Sequence, residues 1–338
     1  MKLIHCRKVA MFLMLILFNG WVCCSAGPAA AQGPAALMEK PGPEKAEEEK
    51  KKEEKKEGVP TSCGPIITDG CMPIEENHAS LQVLTALSFY PGVFSPNWRY
   101  TSAKGNYYTF FMPVKFTYGP TKNLEMYIIV PFFNNFCNKL DASIAGPNGE
   151  RSASYAGIGD ITAVAKYLLL EETGCRPAVT AVGGVGFPTG HAHRLNPARL
   201  GQDAIGTGAF IFTTGVNLSK WLKPFLFYSN IWLNSPVNLY TSSSSSVRSR
   251  EYVTFNLAAE YPISKKWVAL LEMYSSWTWT NISTPQGLQS NSTLLGLLPG
   301  IEYLITEKWA VSGGTAIDLM GKAGSRKITP MFTVYYNF

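Results

Sequence analysis

Few side chains in this sequence have the type and spacing that catalysis or metal binding requires. Of four histidines, His78, His191 and His193 lie beyond the first 31 residues. Acid–base and nucleophilic catalysis need such a group held beside its partner, and His78 stands alone. His191 and His193 fall in "PTGHAHRLNP". That His-x-His pair offers two metal ligands, and the run supplies no third. We therefore assign no catalytic residue, no metal and no cofactor, and expect no enzyme. "VGGVGFPTG" is glycine-rich, but no helix signal follows it, so it is no phosphate cradle. Asp160, in "GIGD", has no acidic neighbour and reads as a single inward-facing polar residue.

What remains is a set of charged and aromatic residues on alternating runs. In "VTFNLAAEY", Val253, Phe255, Leu257, Ala259 and Tyr261 share one parity, and Thr254, Asn256, Ala258 and Glu260 share the other. A period of two is a strand. "NLEMYIIVPFF", "KWVALLEMYSSW" and "TPMFTVYYNF" behave alike. The polar parity collects Lys115, Glu125, Lys166, Glu260, Glu272, Glu302 and Asp318. It also collects Tyr127, Tyr167, Tyr228, Trp232, Tyr274 and Tyr335. A charge facing lipid near midplane costs about 2–4 kcal/mol, so we expect these residues to line an interior. Aromatics interleaved with charges suit an aromatic solute carrying one polar group. Interior packing with paired charges is the plainer reading of the same set. Lys115 and Glu125 flank "YGPTKN" at nearly equal distance and should be cross-strand neighbours.

The elements that position these residues run from about residue 79 to the end. "NLSKWLKPF", "PISKKWVALL" and "LITEKWAVSG" share one turn grammar: a strand end, Ser or Thr, then a Lys before the next strand. "YGPTKNLEMY" and "LLLEETGCRPAV" are further short connectors. Longer polar segments separate them at 91–106, 134–156, 188–204, 235–250, 280–292 and 320–327. Short turns alternating with long loops imply an all-β fold. The expected architecture is an up-and-down antiparallel transmembrane β-barrel of about 12 strands with its tight turns in the periplasm. Trp221, Trp267 and Trp309 would mark the periplasmic aromatic girdle. The sequence finishes on "ITPMFTVYYNF", with Ile328, Pro330, Phe332, Val334, Tyr336 and Phe338 on one parity. That face should touch lipid, and the strand should close the barrel, leaving no free edge. The terminal aromatic pattern resembles the signal read by the outer-membrane assembly machinery, an expected partner. A soluble β-sandwich would leave all these features to coincidence.

The first 31 residues read as a secretory signal peptide, cleaved after Ala26 or Ala31. Residues 32–60 carry Glu and Lys runs that nearly cancel and cannot bury a core. They read as a disordered periplasmic spacer. Formal charge is +6, and removing Lys2, Arg7 and Lys8 leaves +3, so nucleic acid is not an expected partner. Residues 61–78 form a more apolar segment before the barrel proper at 79–338. In it, Cys63 and Cys71 flank "GPIITDG", a loop that a disulfide could close in an exported protein. Cys137 and Cys175 should lie too far apart to bond. We expect 61–78 to tuck against or into the periplasmic mouth, with a flexible tether as the alternative.

"GIGDITAVAKYLLLEE", followed by "GVGFPTG", resembles the MetA-pathway of phenol degradation family, over about residues 157–190. The resemblance implies an outer-membrane transporter, a channel passing small hydrophobic or aromatic compounds, and it supplies no binding residues. The expected location is the bacterial outer membrane, and the expected mode is passive diffusion. A structural or adhesive barrel without a transport role is the other reading. Arg99, Arg151, Arg194, Arg199, Arg248, Arg250 and Arg326 fall in predicted outer loops. Lys122, Lys220, Lys265, Lys266 and Lys308 fall in periplasmic turns. Arginine's planar fork binds phosphate with two parallel hydrogen bonds, so the outer loops should meet lipopolysaccharide.

Overall fold

The computed structural model describes residues 62–146, 151–240, 248–279, 282–284, 287–289 and 291–338. The expected signal peptide and spacer lie outside the described residues. The chain divides into two units. One comprises Met1–Val59 and the turn Thr173–Arg176, within which Thr173 N–H donates to Arg176 O at 3.1 Å. The other, Pro60–Glu172 with Pro177–Phe338, is the barrel.

Its strands are β1 (Ala79–Phe94), β2 (Tyr100–Ser102), β3 (Asn106–Thr121), β4 (Leu124–Asn138), β5 (Ala153–Ile158) and β6 (Ile161–Leu170). They continue as β7 (Ala178–Phe187), β8 (Ala209–Leu222), β9 (Phe225–Asn238), β10 (Tyr252–Pro262) and β11 (Trp267–Thr278). The last are β12 (Ile282–Thr284), β13 (Gly287–Gln289), β14 (Thr293–Leu304), β15 (Trp309–Lys322) and β16 (Gly324–Asn337). Antiparallel pairing runs round the wall in chain order, and β16 pairs with β1 from Ser80↔Asn337 to Phe94↔Gly324. Phe338 N–H donates to Ala79 O at 2.9 Å, which completes the closure. β5 and β6 act as one wall strand, because β4 pairs with β5 over Phe132–Cys137 and with β6 over Leu124–Ile129. The wall thus has twelve strands. β2 is an outer addition to β1, and β12–β13 is a separate hairpin.

Alternation does what the sequence implies. Phe116, Met126, Ile128, Phe227, Ile231 and Phe332 are exposed on the outer face, while Leu84, Ala86, Thr333 and Tyr335 are buried. Apolar side chains outside and polar ones inside is the pattern of a barrel solvated by lipid. No helix among the described residues is long and apolar enough to cross a membrane; this chain crosses with strands.

Two expectations need correction. Residues 320–327 are not a loop: β15 and β16 run on until only Ala323 separates them, at φ 49°. Trp221 is not in the girdle. It shares its parity with the interior Asn217 and Ser219, and its indole nitrogen is buried. The ring at this level is made by Trp267 on Tyr303 (centroids 4.5 Å apart), Trp309 on Tyr336 (4.5 Å) and Tyr336 on Phe338 (4.8 Å).

Candidate functional site

The periplasmic half of the lumen is filled by residues Ser62–His78, an irregular strap that leads into β1. A chain without regular structure must find partners for its amides elsewhere, and wall carboxylates supply them. Glu302 accepts from Ser62 Oγ (2.6 Å) and Cys63 N (2.8 Å). Glu272 accepts from Ile66 N (2.6 Å), Ile67 N (3.1 Å) and Thr68 N (2.7 Å), so the strap's turn wraps one carboxylate as an anion nest. Asn230 accepts from Asp69 N (2.7 Å), and Glu125 accepts from Ile74 N (2.8 Å). Ile66 meanwhile packs among Leu84, Ala86, Val268, Leu270, Leu298 and Ala316.

One strap side chain balances the opposing charge. Asp69 lies 3.1 Å from Lys166 Nζ and 3.4 Å from Lys115 Nζ, and Asn217 Nδ2 donates to it at 2.9 Å. Burial opposes its ionisation, but Lys166 and then Lys115 hold this carboxyl below the ordinary range. Lys166 also pairs with Glu125 at 2.8 Å and donates to Gly70 O at 2.9 Å. Lys115 sits 4.0 Å over the Tyr127 ring.

The cysteines do not bond. All four described cysteines are thiols. Cys63 packs with Leu304, Ala310 and Tyr335, whereas Cys71 packs with Leu168 and Ala178, its Sγ 3.1 Å from Thr180 Oγ1. The intervening residues are spread along the wall by the carboxylates, so the loop never closes on itself. Burial pushes both thiols up, Cys63 further raised by Glu302 beside it. Neither behaves as a reactive thiolate while the strap is seated.

Among the predicted interior residues, Lys115, Glu125, Tyr127, Lys166, Glu260, Glu272, Glu302, Asp318 and Tyr335 do face the lumen. Tyr228 donates to Glu260 (3.1 Å), Trp232 to Asn217 (2.7 Å) and Tyr274 to Asp318 (2.8 Å). Tyr167 is 50% exposed on the outer face, because it neighbours the inward Lys166. Lys115 and Glu125 do not pair. The tight turn sits at Lys122–Asn123, with Thr121 opposite Leu124, so Lys115 falls opposite Ile129, and Glu125 lies opposite Lys166 on the other side of β4. Two lumen aromatics lie flat on glycines of the next strand: a Cβ at Gly296 would sit 2.1 Å from the Tyr274 ring, and one at Gly215 2.5 Å from Trp232.

Above the strap lies a vestibule of about 970 Å³ on the β3–β4 side. Tyr107, Phe111, Ile129, Pro131 and Phe133 form its apolar wall. Phe111 also packs against the core cluster that contains Ile66, which links the cavity wall to the strap's anchorage. Several of its polar members are engaged: Tyr90 with Thr109 (3.0 Å), Thr109 with Asn135 (2.7 Å), and Asn135 with Gln202 O (3.0 Å). Asp160 accepts from Gly190 N (2.9 Å) and Thr207 N (2.7 Å), tying the 188–208 loop to the wall. Lys104 donates to Ser143 Oγ in the short helix α1 (Ala142–Ala145) at 3.3 Å. Sequence reasoning singled out Asp160 as an inward-facing polar residue but missed the other vestibule residues and the strap's Asp69. Parity alone could have flagged Asn217, Asn230, Thr109 and Asn135 as polar positions on inward faces.

The His-x-His pair makes ring contacts instead of a metal site: His191 over Tyr155 (5.6 Å) and His193 on Tyr240 (4.2 Å). No metal-binding group occurs among the described residues.

The family profile described as MetA-pathway of phenol degradation matches residues 122–326, far beyond the 157–190 motif. No curated protein matches the sequence. The COG4313 outer membrane channel from Pseudomonas putida F1 is similar in structure, with a TM-score of 0.66 at 14% identity, covering 81% of this chain and 100% of that one. The translocator domain of autotransporter NalP from Neisseria meningitidis is more distant, with a TM-score of 0.44 at 9% identity (87% and 96% covered). So is the Ralstonia pickettii toluene transporter TbuX, with a TM-score of 0.41 at 10% identity (78% and 90% covered). The first likeness fixes the fold as a β-barrel of the outer-membrane kind.

Proposed function

Because the chain belongs to the MetA-pathway of phenol degradation family and is a barrel of the bacterial outer membrane, we propose that it passes small hydrophobic or aromatic compounds by passive diffusion. The vestibule carries this reading. It offers aromatic walls, and its Tyr90, Thr109, Asn135 and Asp160 side chains already have partners, so an apolar solute beside them strands none of these groups. A solute hydroxyl can still meet the Tyr90–Thr109–Asn135 chain. The test is uptake of radiolabelled toluene and phenol by cells lacking other channels for them. The protein should raise uptake, and Ile129→Trp with Thr162→Trp, which narrow the vestibule from two strands, should lower the gain. Equal uptake with and without the protein would favour a structural or adhesive barrel.

The outer loops extend the proposal to lipopolysaccharide. Arg151, Arg199 and Arg326 donate to the backbone carbonyls of Leu140, Ser154 and Asp318. Arg99 and Arg194 are exposed and are the better candidates for phosphate contacts. The β16 strand, ending in Phe338, remains the proposed handle for the assembly machinery.

A further inference from the structure

The charges beneath the strap are sorted by wall. Lys115, Glu125 and Lys166 stand on β3, β4 and β6; Glu260, Glu272 and Glu302 stand on β10, β11 and β14. In the closed ring of wall strands, each of the first three is six places from its counterpart, which is the opposite side of the barrel. The seated strap masks this arrangement. Asp69 faces the lysines, and strap amides cap Glu272 and Glu302. Glu260 is the exception. It is 1% exposed, accepts from Tyr228, and its Oε1 is buried with no hydrogen-bond partner among the described residues. No strap amide donates to it among the described residues, although Ser62 at the start of the strap lies near it.

We propose that withdrawing the strap uncovers a polarised eyelet and turns the barrel into a cation-preferring pore for small cations and zwitterions, a second class of permeant beside the apolar solutes of the vestibule. Three carboxylates, Glu260, Glu272 and Glu302, then face two ammonium groups across water, and Glu125 beside Lys166 makes the total four against two. Charged rings of this kind set ion selectivity, and the excess is acidic. A field running from the lysine wall to the glutamate wall also orients a zwitterion, ammonium toward Glu272 and carboxylate toward Lys166. No disulfide holds the strap, since Cys63 and Cys71 are thiols. Its Asp69–lysine pairing is the latch.

The test keeps the full chain. Asp69→Lys sets like charge against Lys115 and Lys166 without altering the wall, and folding is checked by heat-modifiable migration. Asp69→Asn serves if the first variant does not insert. Three results are expected in planar bilayers under a potassium chloride gradient. Cys71, 0% exposed in the seated strap, becomes reactive to maleimide. Conductance rises over the unaltered protein. The reversal potential moves toward that of potassium. Adding Glu260→Gln should pull the reversal potential back toward zero while Cys71 labelling stays fast. A released strap with a reversal potential at zero or toward chloride overturns the proposal. A Cys71 that stays protected in the folded variant overturns it too, because the latch would then lie elsewhere.

Discussion

Glu272→Ala is the sharpest test of how the strap is held. The substitution removes the acceptor for three strap amides, those of Ile66, Ile67 and Thr68. Hydrogen bonds to a charged group contribute about 1.5–3 kcal/mol each, but the three share one buried carboxylate whose desolvation offsets part of that gain. Removing one partner from a buried charged network costs about 3–5 kcal/mol, and we take this range for the strap. At about 1.4 kcal/mol per tenfold, the strap should be out of its seat roughly a hundred to a few thousand times more often. Cys71 reports this directly. It is 0% exposed and its thiol is pushed up by burial, so maleimide reaches it only when the strap leaves. If reclosing is fast, the labelling rate follows the open population. Peptide mass mapping resolves each cysteine in one sample: exposed Cys175 marks the upper limit. Cys137, 2% exposed on β4, reports on the wall and should not change. Equal Cys71 rates in variant and parent, with Cys137 still protected, would refute the reasoning.

Further outcomes follow from neighbouring geometry. Lys166→Ala should lower the yield of folded barrel sharply, since it leaves Glu125 buried without its cation and Asp69 with Lys115 alone, at about 3–5 kcal/mol. Lys122→Ala, which breaks only the exposed pair with Glu171, should leave heat-modifiable migration unchanged. Gly296→Ala drives a methyl into the Tyr274 ring and should lower the midpoint of thermal unfolding in detergent by an amount equivalent to about 1–3 kcal/mol. Gly313→Ala, whose new Cβ would have its nearest neighbour at an ordinary 3.6 Å, should not. Asp160→Ala frees Gly190 and Thr207, so trypsin should cut after Arg194 and Arg199 faster than in the parent, as seen by gel and mass mapping.

The barrel was legible because lipid enforces strict alternation and three of the five short turns carry a shared grammar. Register was not. The shift between Tyr118 and Thr121 and the β5–β6 break at Gly159–Asp160 depend on local backbone packing that composition does not encode. The place of the tight turn, at Lys122–Asn123, was equally hidden, and it is what leaves Lys115 opposite Ile129 while Glu125 meets Lys166. The 320–327 segment misled for another reason. Strands that rise above the lipid are free of its compositional rule, so "GKAGSRK" reads as a loop and folds as strand. The strap was least legible of all. Its sequence has no period, and its partners lie far away in the chain, as Glu302 does from Cys63. Only the inward carboxylates hinted that something would need their lone pairs. The missing disulfide follows from the same cause, since wall contacts hold the two cysteines apart more firmly than proximity in sequence draws them together.

The aromatic rings of β3 and β4 fix how deep the vestibule sits. Tyr118 and Tyr108 both face outward on β3, ten residues apart. At about 3.3 Å per residue and a tilt near 40°, that is about 25 Å along the barrel axis, the height of the hydrocarbon layer. Tyr108, stacked 4.7 Å from Phe136 and 5.5 Å from Phe89, therefore marks the outer interface. The inward pair Phe111 and Phe133, with centroids 4.8 Å apart, lies three residues nearer the periplasm on the same two strands. A molecule resting on that pair is roughly 8 Å below the interface, level with acyl chains yet divided from them by one thickness of wall. The sugar coat that keeps apolar molecules off the leaflet is thus passed at the first step of entry, before the strap is reached.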